Sequence, residues 1–407
     1  MNIGSQHHER QHIPQCAEWR AQARARKIGA RAMTQKTLAL LGKNAQHVLT
    51  FRGSLIRAAQ ANGHRVIALT APASPRARQR LRKFDVEHFD TPLSGGKISP
   101  LRDLQFQTTV SEILKTQKVN ALLAYNPKCI AFGPIAARRA GVKNIAVVVT
   151  GLGFAFTGRS IARRFIRFFS TRLYRRSLAA CDAVFFQNQI DRDELTALGV
   201  LTNVPPARVH IIAGSGVDLE YFAPQPVPTQ THFLMISRPL KDKGVAEFAQ
   251  ACKIVRARNP AIRCTLICAW DENPSSFTRA DIAHWAQQGC FEALDEVEDV
   301  RPHLQSCTTF VLPSYREGTS KVVLEAMATG RAIISTDAIG CRDPIEPGVN
   351  GLLVATHSAT ELAAAMLELA NDPARNAAMG AASRRIAQEK YNAKPIDALI
   401  LRALGLS

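Results

Sequence analysis

The chain has 407 residues, 46% of them hydrophobic and 21% charged, and a formal net charge of +19. It is too long for one ordinary core and suits two globular domains. No run reaches the roughly 18 apolar residues of a membrane span, and the polar N-terminus has no signal-peptide core.

The charge is uneven. Residues 1–220 carry 33 Lys+Arg against 13 Asp+Glu, whereas residues 221–407 carry 19 against 20. One basic half beside a neutral one points to an anionic partner for a single domain, either nucleic acid or an anionic membrane surface. The nine cysteines are scattered. Cys264 and Cys268, the closest pair, lack metal-ligand spacing, and all nine read as buried, reduced, cytosolic thiols.

In chain order, Met1 to Met33 has no apolar periodicity. Its segment AEWRAQARARKIGAR could be a disordered tail or a membrane-surface helix, or translation could start at Met33; a disordered basic tail over 1–33 is the expectation. Strands and helices then alternate. Thr37 to Gly42 is a strand, Phe51 to Asn62 an amphipathic helix, and His64 to Thr70 a strand followed by a Pro- and Arg-rich loop. Leu101 to Gln117 is a helix, Val119 to Tyr125 a strand, Ala131 to Ala140 a helix, and Asn144 to Thr150 a strand. Ala183 to Gln187 and Val209 to Ala213 add two strands. Such alternation implies a parallel sheet covered on both faces.

Two strand ends in this half stand out. Gly151 and Gly153 let backbone approach a ligand at the cleft edge, or make a plain tight turn. Tyr125, Asn126 and Lys128 end another strand at the same edge. Farther on, RSIARRFIRFFSTRLYRRS, Arg159 to Ser177, holds seven Arg, with Phe and Ile near helical spacing. It reads as a basic amphipathic helix that lies on anionic lipid or grips a lipid diphosphate, with Arg163, Arg164 and Arg167 as membrane contacts. A core-facing helix with a solvated basic face is the other reading.

PQPVPTQ, Pro224 to Gln230, is a linker by composition. Strands His232 to Ser237 and Arg263 to Ala269 open a second alternating set. SRPLKDKG, Ser237 to Gly244, follows the first of them, and Arg238 and Lys243 would reach the mouth of a cleft, where two cations stabilise a departing diphosphate. The literal Asp191-Arg192-Asp193 opens a helix, where acids complement the helix dipole, so no metal is expected.

The densest stretch is Thr308 to Val354. Thr308 to Pro313 is a buried strand, Ser314 to Thr319 a loop, Lys321 to about Thr329 a helix capped by Ser320 and stopped by Gly330, and Ala332 to Thr336 a second strand. Ligands bind at the carboxyl ends of such strands. The amides of Thr319, Ser320 and Lys321 would cradle a phosphate there. Glu317 precedes the helix and Glu325 lies inside it; a carboxylate accepts two hydrogen bonds from a diol such as ribose. Phosphate donors and a diol acceptor in one place suggest a nucleotide or sugar nucleotide.

Glu317-x(7)-Glu325 inside SYREGTSKVVLEAMATG resembles the signature of retaining nucleotide-sugar glycosyltransferases of family 4. FRGSLIRAAQANGHRV, VVVTGLGFAFTG and IIAGSGVDLEYF also resemble family segments, so the likeness runs from about Thr34 to Leu404. It is nearest to bacterial members that extend undecaprenyl-diphosphate-linked saccharides, such as capsule, O-antigen and N-acetylgalactosamine transferases. The resemblance implies the GT-B fold: α/β, with two Rossmann-like domains facing a central cleft. It implies a metal-independent enzyme without cofactor that uses a UDP-sugar as co-substrate. Arg238 and Lys243 would bind the donor diphosphate, Gly318, Thr319 and Ser320 would join them, Glu325 would hold the ribose, and Glu317 would lie by the donor sugar; Glu317, Arg238 and Lys243 are the catalytic candidates. Ala293 to Val297 would lie by the uracil. Gly151, Gly153, Tyr125 and Lys128 would face the acceptor. Many members carry a His near Tyr125-Asn126-Pro127-Lys128; this chain matches only the lipid-linked branch there.

The expected domains are a first Rossmann-like acceptor and membrane domain over 34–217, a linker over 218–231, a nucleotide-sugar domain over 232–390, and a helix over 391–407 returning to the first domain. The expected function is transfer of a sugar, an N-acetylhexosamine, from UDP to a polyprenyl-diphosphate-linked saccharide. The enzyme would be cytoplasmic and peripheral on the inner face of the membrane, with no nucleic-acid partner. A UDP-sugar epimerase of the same fold and a non-catalytic anion- or membrane-binding protein are the alternatives.

Overall fold

The computed structural model describes residues 35–93, 99–150, 161–270, 273 and 275–407. The first half is a seven-stranded parallel sheet. Its strands are β1 (Thr37–Leu41), β2 (Arg65–Thr70), β3 (Val86–Asp90), β4 (Ala121–Tyr125), β5 (Asn144–Val149), β6 (Ala183–Phe186) and β7 (Val209–Ile211), in the order β3-β2-β1-β4-β5-β6-β7. Leu38 of β1 pairs with Val66 of β2 and Ala121 of β4. Leu38 to Leu41 are all fully buried, because helices cover both faces and every residue of a central strand must be apolar.

Six helices connect these strands: α1 (Ala45–Ala61), α2 (Pro75–Lys83), α3 (Pro100–Thr116), α4 (Pro127–Arg139), α5 (Ile161–Ala179) and α6 (Gln189–Ala197). The two-residue period of the strands sorts the core. Ala39, Leu41, Leu122 and Ala124 face α3, α4 and α5. Leu38, Leu40, Ala121 and Leu123 face α1 and the chain's last helix.

The second half repeats the plan with six parallel strands in the order β10-β9-β8-β11-β12-β13. They are β8 (His232–Ser237), β9 (Arg263–Cys268), β10 (Glu292–Asp295), β11 (Thr309–Leu312), β12 (Ala332–Thr336) and β13 (Gly351–Val354). The helices are α7 (Val245–Arg258), α8 (Arg279–Gln287), α9 (Arg301–Ser306), α10 (Lys321–Ala328), α11 (Ala359–Asn371), α12 (Pro373–Lys390) and α13 (Ala393–Ala403). In both sheets the strand order reverses beside the first strand, which makes a crevice at the carboxyl ends of β1 and β4 and of β8 and β11.

Two arginines, buried Arg331 and half-buried Arg384, hold the segment between the sheets. Arg331 donates to the carbonyls of Leu304, Pro226 and Gln305. Arg384 donates to those of Leu219, Phe222 and Ala328. The Pro-rich stretch is therefore tied to the second domain. The last helix, α13, lies on the first domain against α1; Asn62 Nδ2 donates to the Leu406 carbonyl at 2.9 Å and Lys36 Nζ to that of Gly405 at 2.6 Å.

Some elements differ from expectation. The Pro- and Arg-rich loop contains helix α2, started by Pro75 and by the Ser74 hydroxyl accepting from the Ala77 amide, and is followed by strand β3. Helix α1 begins at Ala45 rather than Phe51 because Asn44 caps it. Helix α4 begins at Pro127 rather than Ala131, since Pro fits a first helical turn. The eight described cysteines are free and buried. No described helix is long and apolar enough to cross a membrane. Residues 1–34 lie outside the described residues.

Leu404 is fully buried in the cluster shared by α1 and α13. Leu404→Ala should lower the unfolding free energy by about 2–5 kcal/mol. Urea unfolding followed by a reporter in the first domain checks this, because the residue belongs to the chain's last segment but to the first domain's core.

Candidate active site

The crevice of the second sheet gathers the charged residues expected there. Arg238 directly follows β8 and is exposed. Lys243 ends a single 3-10 turn before α7. Glu317 comes from the loop after β11. Lys243 Nζ donates to Glu317 Oε1 at 2.7 Å, and the two side chains are only 13% and 15% exposed. At that depth a charge-assisted bond is stronger than on the surface.

Backbone bonds pin the loop that carries Glu317. The Glu317 amide donates to the Ile339 carbonyl at 3.1 Å, and the Tyr315 amide to the Asp242 carbonyl at 2.9 Å. The hydroxyl of Ser314 reaches the same Asp242 carbonyl at 3.1 Å. Gly340 closes the arrangement: it sits at φ +77°, and a Cβ there would come within 2.0 Å of the Glu317 carbonyl oxygen. Gly318 faces open space.

Helix α10 then starts. Ser320 stands at the N-cap, but its hydroxyl makes no cap bond; this corrects its expected capping role. The first-turn amides have no intrahelical acceptor in any α-helix, and here the cap side chain takes none of them. Thr319 packs against the first domain, where a side chain at Gly214 would meet its Cβ at 3.2 Å. Glu325, one turn into the helix, is 7% exposed. Burial pushes its carboxyl up to about 7, against the pull of the Lys321 ammonium.

The first domain's expected residues fare unevenly. Gly151 and Gly153 lie outside the described residues. Tyr125 is buried, not presented at an edge. Its ring occupies the space that a side chain at Gly42 would need, at 2.6 Å, and the Arg52 guanidinium lies 5.0 Å from its centroid. Lys128 pairs with Asp103 at 2.9 Å. Asn126 sits between them at φ +75°, its side chain accepting from the Lys43 amide at 2.9 Å. Helix α5 is anchored through Tyr174, whose hydroxyl donates to the Pro127 carbonyl, and Ser177, whose hydroxyl donates to that of Ile130. Arg163 and Arg164 are on this helix, but their side chains lie outside the described residues. Arg167 is half-buried, while Phe168 and Phe169 are 50% and 66% exposed.

Among the described residues no three His, Cys, Asp or Glu side chains come together as a metal site. Asp191 lies in the first turn of α6, held by Asn188. Across the cleft, a cavity of about 100 Å³ separates Gln46, Ser74, Arg76 and Arg80 of the first domain from Glu296 and Val297 of the second. The sequence pointed to the Lys321 amide but not to its side chain, whose ammonium donates to the Gly216 carbonyl at 2.6 Å. No local pattern signals that bond, since the partners are 105 residues apart.

Known proteins resemble this chain along most of its length. Residues 49–214 match the family model "Glycosyl transferase 4-like domain", and residues 230–372 match "Glycosyl transferases group 1". The chain is 27% identical over 323 residues to the N,N'-diacetylbacillosaminyl-diphospho-undecaprenol alpha-1,3-N-acetylgalactosaminyltransferase of Campylobacter jejuni, covering 74% of this chain and 83% of that protein. It is 26% identical to the capsular polysaccharide biosynthesis glycosyltransferase CapM of Staphylococcus aureus, over 40% of this chain and 42% of that one. Anabaena HepE, solved in complex with UDP, superposes with a TM-score of 0.68 at 16% identity, covering 91% of this chain and 100% of that one. At that identity the likeness is one of fold, the two-domain GT-B arrangement.

The site geometry makes a stability prediction. Gly340 and Gly348 share φ +77°, but a Cβ at Gly348 would meet nothing within 4 Å. Gly348→Ala should therefore cost only the backbone strain, about 1–3 kcal/mol. Gly340→Ala should cost about 1–3 kcal/mol more, because the Glu317 loop must move. Chemical denaturation of the two variants side by side measures the difference.

Proposed function

Since the chain belongs to the glycosyltransferases that join a 4-like N-terminal domain to a group 1 C-terminal domain, we propose that it moves a sugar from UDP to a polyprenyl-diphosphate-linked saccharide with retention of configuration. The observation that carries the donor half is the placement of Lys243, Glu317, the α10 N-terminus and buried Glu325 around one sheet crevice. Cations and free amides suit a diphosphate, and a carboxylate one turn deeper suits the ribose diol.

In this reading Lys243 exchanges partners. Without donor its ammonium neutralises Glu317. With donor bound it turns to the diphosphate beside Arg238, and the freed Glu317 carboxylate accepts from donor-sugar hydroxyls. The acceptor hydroxyl attacks the anomeric carbon from the face that the phosphate leaves, and the departing phosphate oxygen takes the hydroxyl proton. Arg238 and Lys243 stabilise the released diphosphate, the part a metal ion plays elsewhere. Val297 and its neighbours line the base side.

The acceptor half rests on the Campylobacter relative, whose name specifies a diphospho-undecaprenol-linked substrate and an N-acetylgalactosaminyl product. An N-acetylhexosamine donor is proposed on that ground, and UDP on the name of HepE's bound ligand. The basic first domain supplies a fitting surface. One side of α5 is fixed to α4 while Phe168 and Phe169 point outward beside Arg172, so this helix docks on the anionic inner leaflet, and the enzyme is peripheral there.

Four tests follow from this reading. Glu325→Ala removes charged hydrogen bonds worth roughly 1.5–3 kcal/mol, so calorimetry at pH 8 should give UDP binding weaker by about 10–100-fold. Because burial raises the Glu325 value, the ionised form predominates only above about pH 7, and UDP affinity of the unaltered enzyme should climb through that pH. Turnover should persist in excess EDTA after bound metal is stripped; complete loss restored by magnesium or manganese would contradict the proposed role of Arg238 and Lys243. Replacing Arg163, Arg164 and Arg167 by Gln should weaken liposome binding by about 3 kcal/mol at low salt, at about 1 kcal/mol per Arg. Flotation measures it, and turnover on a water-soluble acceptor should change little.

A further inference from the structure

Behind the donor crevice, five charged side chains from four parts of the chain converge: Lys321 and Glu325 of α10, Arg52 of α1, Asp218 of the inter-domain segment and Asp397 of α13. Arg52, Glu325 and Asp397 are each at most 7% exposed. Lys321 is the member that joins the domains, through the 2.6 Å bond from its ammonium to the Gly216 carbonyl.

The carbonyl it reaches is firmly placed. Gly216 has φ +60°, and a Cβ there would come within 2.8 Å of Ala393 Cα at the start of α13. Val217 exchanges backbone hydrogen bonds with the strand-like turn at Tyr391 and Ala393. Arg52 Nη1 lies 3.4 Å from Ser215 Oγ on the same segment. The acceptor of the Lys321 bond is thus fixed by α1 and α13 together.

Helix electrostatics does not account for a lysine here. A cation at the first position of a helix opposes the dipole, and a half-buried ammonium loses part of its hydration. What the position offers is the Gly216 carbonyl on one side and Glu325 one turn away on the same helix face.

We propose that Lys321 is a positioning residue for the transfer: anchored on Gly216 one helical turn before buried Glu325, its ammonium favours the carboxylate form that accepts the donor's ribose. This deepens the donor-site reading above and rests on it.

The surrounding charges agree in sign. Burial raises Glu325, Lys321 lowers it, and Asp299 at the head of α9, itself paired with Arg301, raises it. Burial lowers Lys321, while Glu325, Asp397 and Asp218 raise it and Arg52 lowers it. Asp218 is shared with Arg57. Of the charges acting on Glu325, Lys321 alone favours its ionised form. Without that ammonium the carboxylate holds its proton to higher pH, so donor binding should fail near neutrality and recover in alkali.

The test is UDP affinity by calorimetry at pH 7 and pH 9 for the unaltered protein, Lys321→Met, Lys321→Arg and Glu325→Ala. Losing a neighbouring opposite charge raises a carboxyl pKa by about one unit or more. Lys321→Met should therefore bind UDP about fivefold more weakly at pH 7 and within about twofold of the unaltered protein at pH 9. Lys321→Arg keeps the charge and should not move the acid limb upward; it carries the test if the methionine variant fails to fold. An equal loss at both pH values, no loss at all, or an upward shift in the arginine variant would overturn the proposal. Unchanged binding by Glu325→Ala at pH 9 would instead overturn the donor-site reading, whatever the lysine variants do.

Discussion

The ion pair between Lys243 and Glu317 is possible only because β8 and β11 are neighbours. The two residues are 74 positions apart, yet each follows a parallel strand, and the sheet order puts those strand ends side by side. A parallel sheet that reverses its order leaves a gap at that place, since the helices after the two strands run to opposite faces. The gap collects cations from one loop, a carboxylate from the other, and the unpaired amides of α10. The proposed donor site is a consequence of that topology, and the same device in the first sheet brings Lys43 and Asn126 together.

Holding two such sheets in one arrangement needs more than a linker. Arg331 and Arg384 bind six carbonyls between them, which commits residues 219–226 to the second domain. Helix α13 does the reverse and fills the first domain's core with Ile400, Leu401 and Leu404. The chain therefore passes twice between the domains near Gly216 and Ala393, close to the start of α10. A shift of one domain against the other acts first on this neighbourhood, where Lys321 and Thr319 reach across.

Much of this was legible in the sequence for a plain reason. Central strands buried on both faces must be unbroken apolar runs, so LALL, ALLAY and HFLMIS announce themselves. Helix α2 was not legible because Leu81 is its only buried residue, which leaves no apolar period to read. The edge strand β3, VEHFD, has a pattern too mixed for the same test. Glu317, Glu325, Arg238 and Lys243 could be picked out because their spacing is local to single loops and one helix. The burial of Tyr125 could not, since it depends on the absence of a side chain at Gly42, 83 residues earlier. Nor could the tie from Lys321 to Gly216, which exists only once both sheets are assembled.

The proposed work of the crevice is a transfer between two substrates, not an isomerisation and not mere adhesion to anions. The direct measurement is UDP release from UDP-N-acetylhexosamines with and without lipid-linked saccharides extracted from membranes. Rapid UDP release that requires the lipid-linked acceptor, together with a lengthened glycolipid, is the expected result. UDP release at the same rate without acceptor, interconversion of the UDP-sugar itself, or no reaction with any donor and acceptor pair would contradict it.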